Sequence, residues 1–250
     1  MDWPPDLLAA TALGLFCVAV PVVRALTGRG PATFARVEQQ GGSIFLSRGL
    51  MNAGYWLLQP AVRFCTTAQV APATLSWLSL VPAALAGLAG ARGNWGFAAC
   101  GLLVSALLDV LDGAVARARG KESARGAILD SVLDRYAEGF FFAGALVFYR
   151  ASLPAQGLVF AAFFGSMMIT YSTAKAEALR LKPPRGSMKR SDRLALLTAG
   201  AALTPFSQRW LESPGAAMAW PVLGAIGLIA VLANLSAIAR FISLSRRSDS

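Results

Sequence analysis

The chain has 250 residues, of which 56% are hydrophobic and only 14% charged, and its mean hydropathy is +0.55. Soluble domains carry about a quarter charged residues, so the composition excludes an ordinary soluble enzyme and points to an integral membrane protein. Its net charge of +10 reports topology and attraction to anionic headgroups and phosphates, and is not read as a nucleic-acid footprint.

A helical span needs ~20 apolar residues, and such stretches fall at about 7–26, 70–91, 95–115, 127–149, 154–173, 194–206 and 217–238, the sixth being short. None alternates as a barrel strand does. Helices satisfy every backbone hydrogen bond internally, so an all-α, polytopic membrane helical bundle is expected. The first stretch is read as a retained helix and not a signal peptide, because residues 1–6 hold Asp2 and Asp6 and no basic residue. Residues 1–43 are expected to form this extra N-terminal transmembrane helix and its loop, and 44–250 one membrane domain. Within the latter, 44–64 mixes apolar and aromatic residues with Arg48, Gln59 and Arg63, the composition of an interfacial helix.

Basic residues cluster on one side of these spans. Arg24, Arg29, Arg36, Arg48 and Arg63 follow the first; Arg117, Arg119, Lys121 and Arg125 join the third and fourth. Lys175, Arg180, Lys182, Arg185, Lys189, Arg190 and Arg193 follow the fifth, and Arg240, Arg246 and Arg247 end the chain. Only Arg92, Arg150 and Arg209 lie on opposite connections. The positive-inside rule makes the basic side cytoplasmic and places the N-terminus outside, in an inner (cytoplasmic) membrane. There is no histidine, and Cys17, Cys65 and Cys100 lack paired spacing. Zinc sites and His-dependent nucleophile systems lose support.

The third and fourth spans contain four carboxylates, Asp109, Asp112, Asp130 and Asp134. An unpaired Asp at the middle of a membrane helix costs ~2.5–3.5 kcal/mol, so four would cost on the order of 10 kcal/mol. Spacings of three and four put each pair on one helix face. The short turn between the helices brings both pairs to a similar depth, where they can converge on a cation. An oxygen-only set without imidazole or thiolate suits Mg²⁺ or Mn²⁺, and four negative charges favour two ions able to clamp a pyrophosphate. Gly113, Ala114, Ala116, Gly126 and Ala127 are small enough for close helix packing or for a ligand. A carboxylate-lined cation transporter fits the same acids but leaves Arg117 and the later basic cluster without a role.

Asp109, Asp112, Gly113, Ala116, Arg117, Gly126, Asp130 and Asp134 form the pattern D-x2-D-G-x2-A-R-x8-G-x3-D-x3-D. On this pattern the chain resembles the CDP-alcohol phosphotransferase family of membrane enzymes. The resemblance implies a six-helix core, to which 7–26 is an addition, a homodimer, and transfer of a phosphatidyl group from CDP-diacylglycerol to an alcohol with release of CMP. It implies that Asp109 and Asp130 bridge two divalent ions, that Asp112 completes one site, and that Asp134 binds the second ion and acts as the catalytic base. Gly113, Arg117 and Ser123 would contact the CDP moiety. The family's Thr-Pro-Asn turn and later Thr correspond to Ala71, Pro72, Ala73 and Ser76, which leaves backbone contacts from Pro72, Ala73 and Thr74. Lys175, Arg190, Arg193 and Arg240 resemble the acceptor-phosphate cluster of members that use inositol phosphate, the preferred acceptor. Glycerol 3-phosphate would satisfy the same charges, and a soluble CDP-polyol donor remains an alternative.

Overall fold

The structure, a computed structural model, describes residues 4–28, 33–41, 45–181, 188–211 and 218–248. Among them the chain is helical, with no strand. The helices are α1 (Pro5–Thr27), α2 (Ala35–Gln40), α3 (Arg48–Thr67), α4 (Pro72–Ala91), α5 (Trp95–Ala118), α6 (Ala124–Phe148), α7 (Leu153–Ala178), α8 (Arg190–Trp210) and α9 (Trp220–Ser248). The boundary expected near residue 43 lies outside the described residues, as do Lys182 and Arg185.

Local chemistry sets the helix starts. Pro72 opens α4 at N1, where its missing N–H costs nothing. Ser47, Ser123 and Ser152 cap α3, α6 and α7 by accepting from Leu50 N, Gly126 N and Ala155 N. The side chain of Asn94 does not cap α5; instead Asp6 of α1 accepts from Phe97 N at 2.9 Å.

Helix contacts run α4–α5–α8–α9–α7–α6 and back to α4, closing a ring of six, with α1 laid against α3, α5 and α8. Lipid offers helices no hydrophobic reason to associate, so close approach at small residues and interhelical hydrogen bonds carry the packing. Gly144 of α6 lies on the Gly87 carbonyl of α4, and Gly101 of α5 lies against Pro82 and Ala86 of α4. The Asn234 amide of α9 donates to Ala161 O of α7 at 2.9 Å, and Thr204 Oγ1 of α8 accepts from Val222 N. Away from the carboxylates, fully buried Trp95 packs against Phe148, Phe141 and Tyr149, with Trp95 and Phe148 centroids 5.1 Å apart.

Among the described residues, α1, α4, α5, α7 and α9 are long and apolar enough to cross a membrane. The expected spans 127–149 and 194–206 become α6 and α8, of 25 and 21 residues, long enough at ~1.5 Å per residue but richer in charge. The short sixth stretch is lengthened at both ends because Arg190, Asp192, Arg193 and Arg209 belong to the helix. The expected interfacial segment is α3, whose Leu58, Val62 and Cys65 form a small second core with Leu75, Leu111 and Val115. Helix α2 has no counterpart in the periodicity; Phe34 N, at its start, donates to Asn52 Oδ1 at 3.0 Å.

Candidate active site

Antiparallel α5 and α6 bring the four aspartates together. Carboxylate oxygens of Asp109, Asp112 and Asp130 lie within 4.8 Å of one another. Asp134 joins them through a cation: Arg190 of α8 places Nη1 2.9 Å from Asp109 Oδ2 and Nη2 2.7 Å from Asp134 Oδ1. All four carboxylates thus lie together, Asp109, Asp112 and Asp130 in one cluster and Asp134 beside Asp109, with Arg190 on both. Asp112 is the most enclosed, 5% exposed, and accepts a hydrogen bond from Ser76 of α4. This hard, oxygen-only donor set fits a divalent cation.

The two glycines beside the acids make no close interhelical approach, whereas Ala114 packs against the small second core. A Cβ on Gly126 would meet only Ser123 Oγ, and the nearest atoms to one on Gly113 belong to Arg117 of the same helix. Close approaches are made by Gly87, Gly101 and Gly144 along α4, and elsewhere by Gly96, Gly165 and Gly200. Arg117, half-buried one turn beyond Gly113, borders this space. Ser123 uses its oxygen to cap α6. Pro72, Ala73 and Thr74 start α4 at the same end of the bundle, and Arg119 Nη1 donates to Val70 O at 2.7 Å, tying the end of α5 to that turn.

The four expected acceptor-site cations are differently employed. Arg190 lies on two carboxylates. Arg193, 2% exposed, grips Glu138 with Nε at 2.8 Å and Nη2 at 3.1 Å. Arg240 Nη1 donates to Thr173 Oγ1 at 2.8 Å, and Lys175 is exposed near the end of α7.

Glu138 was absent from the sequence-derived site. Its signal was available: four residues after Asp134, it extends the Asp130–Asp134 face of α6 by one turn. The family pattern ends at Asp134 and does not include Glu138. Thr173 and the Ser76–Asp112 contact were missed because they depend on which helices become neighbours.

A family model described as CDP-alcohol phosphatidyltransferase matches residues 69–241, from just before α4 into α9 of the six-helix ring. The chain is 36% identical over 157 residues to a phosphatidylinositol phosphate synthase of Mycobacteroides abscessus, covering 62% of this chain and 66% of the relative. To the Mycobacterium tuberculosis enzyme of that name it is 34% identical over 180 residues, covering 70% and 73%. The crystal structure of that enzyme with CDP-DAG bound superposes with a TM-score of 0.64 at 27% identity, over 73% of this chain and 90% of that one. Its complex with manganese and citrate gives a TM-score of 0.63, at 27% identity and over 73% and 86% of the two chains. The chain belongs to the CDP-alcohol phosphatidyltransferase family, and is an integral membrane transferase.

Proposed function

We propose that the protein transfers a phosphatidyl group from CDP-diacylglycerol to inositol phosphate, releasing CMP, with two Mg²⁺ or Mn²⁺ ions. The observation that carries this is the junction of three carboxylates within 4.8 Å with the cationic face of α8 at Arg190. The names of the mycobacterial relatives, and the CDP-DAG and manganese complexes of one of them, support the donor, the ion and the acceptor.

Asp109, Asp112 and Asp130 hold the ions, with Asp134 completing the set. When bound, the ions polarise the pyrophosphate and neutralise charge on the departing CMP. Asp134 accepts the proton of the acceptor hydroxyl as its oxygen attacks the phosphorus. Gly113, Arg117, Ser123 and the turn at Pro72, Ala73 and Thr74 take the CDP moiety. Lys175, Arg190, Arg193 and Arg240 supply positive charge for the acceptor phosphate, Arg193 with Glu138 behind it. The basic connections support a site on the cytoplasmic face of an inner membrane, and the family resemblance supports a homodimer.

Purified protein in detergent, given CDP-diacylglycerol and Mn²⁺, is tested with inositol phosphate, inositol, glycerol 3-phosphate and serine, scoring CMP and the lipid formed. Phosphatidylinositol phosphate is the expected product. Phosphatidylglycerophosphate in its place reassigns the acceptor, and no CMP with any acceptor overturns the activity.

A further inference from the structure

Ser76 lies one turn into α4, in the segment whose resemblance concerns the nucleotide. Its hydroxyl nevertheless reaches across to α5 and donates to Asp112 Oδ2. Ser76 is 7% exposed and Asp112 5%, so neither group has ready access to water. The Pro72 carbonyl, at 3.2 Å, is an alternative acceptor within α4. A hydroxyl has one proton to give, and a hydrogen bond to a carboxylate is roughly twice as strong as one to a neutral carbonyl. The proton therefore goes to Asp112.

The surrounding contacts make this hydroxyl well placed to orient a ligand. Ser79 Oγ donates to Ser76 O at 2.7 Å, and Ser105 Oγ of α5 donates to Ser79 O at 2.9 Å. Ser105 stands seven residues before Asp112 on the same helix. The serine ladder thus ties α4 and α5 together two turns from the acid, and of its three serines only Ser76 touches the carboxylate. Asp112 has three rotamers about χ1 and a broad χ2. A donor fixed on the neighbouring helix selects among them, which keeps a carboxylate oxygen of Asp112 within 4.8 Å of those of Asp109 and Asp130.

We propose that Ser76 is a positioning residue for the divalent-cation site, acting through Asp112 and not as a contact to the nucleotide. Partners that orient metal-binding carboxylates are worth 10–100-fold in metal affinity or activity. The proposal rests on the aspartates holding a divalent ion, as set out above.

The test is Mn²⁺ binding by electron paramagnetic resonance on the full chain in detergent, with no substrate present. Ser76→Ala is expected to weaken Mn²⁺ binding by about tenfold or more, and Ser76→Thr, which keeps the hydroxyl, to remain within about threefold of wild type. Ser105→Ala breaks the ladder without touching Asp112 and is expected to bind Mn²⁺ as wild type does. With Mn²⁺ saturating, Ser76→Ala should leave the KM for CDP-diacylglycerol unchanged. Wild-type Mn²⁺ affinity in Ser76→Ala, or an equal loss in Ser105→Ala, overturns the positioning role. A raised KM for CDP-diacylglycerol with unchanged Mn²⁺ affinity overturns it in favour of a nucleotide contact. If wild type binds no Mn²⁺, the metal site itself fails; if wild type binds Mn²⁺ and releases CMP while Ser76→Ala matches it, only the role of Ser76 fails.

Discussion

Arg190 holds Asp134 at 2.7 Å with one guanidinium nitrogen while the other lies 2.9 Å from Asp109. A residue expected to meet the acceptor phosphate thus sits on two of the carboxylates expected to hold the ions. A guanidinium competes with any other cation for these oxygens. Arg190→Gln should therefore tighten Mn²⁺ binding by about tenfold, equivalent to roughly 1.4 kcal/mol, while lowering turnover at saturating Mn²⁺. A Mn²⁺ titration paired with CMP release checks both halves; unchanged Mn²⁺ affinity would show that the ion pair does not compete.

Asp134→Asn keeps the shape of the side chain and removes its capacity to accept a proton. CMP release should fall by about 10²–10⁴-fold, the range for loss of a general base. Arg190 keeps its second carboxylate, Asp109, at 2.9 Å, so loss of the Asp134 charge leaves no guanidinium unpaired and should leave thermal unfolding nearly unchanged. Retained turnover removes Asp134 from the role of base.

Glu138 and Arg193 are more deeply enclosed, their side chains 10% and 3% exposed. Removing one partner leaves a buried charge unpaired, which costs about 3–5 kcal/mol. Glu138→Ala should therefore melt well below wild type in detergent. Replacing both residues with apolar groups, Glu138→Leu with Arg193→Met, should recover most of that stability but raise the KM for inositol phosphate. Recovery of both stability and KM would make the pair structural only.

The α4–α6 contact depends on two glycines. A Cβ on Gly144 would collide with the Gly87 carbonyl, and the helices must separate to admit it. Gly144→Ala should destabilise the bundle by about 1–3 kcal/mol, the usual cost of overpacking. Gly157→Ala, where the added Cβ meets nothing within 4 Å, is the control. Equal melting of the two variants would contradict the close approach.

Asp6 does for α5 what Asn94 at the start of that helix does not. Asp6→Ala should cost about 0.5–2 kcal/mol, as for other lost N-caps. Catalysis should continue, because the aspartates lie at the opposite end of α5. A large loss of CMP release in a well-folded Asp6→Ala protein would instead link α1 to the chemistry.

Membrane class, most of the helix positions and the grouping of the aspartates were legible from residue order alone. Apolar length reports a helix in lipid because no other open segment satisfies its backbone there. Charged acids within such lengths are so costly that four at helical spacing call for a nearby cation before any fold is known. Tertiary structure decided which helices meet and which charges pair. Glycine contacts bring α4 against both α5 and α6, which is how Ser76 arrives at Asp112. The same ring turns α8 inward, setting Arg190 on Asp109 and Asp134 and Arg193 on Glu138. Hydrophobic and helical periodicity determine which face of a helix is buried but not which neighbour it is buried against. Partners separated by 36, 55 or 81 residues are fixed only when the ring closes.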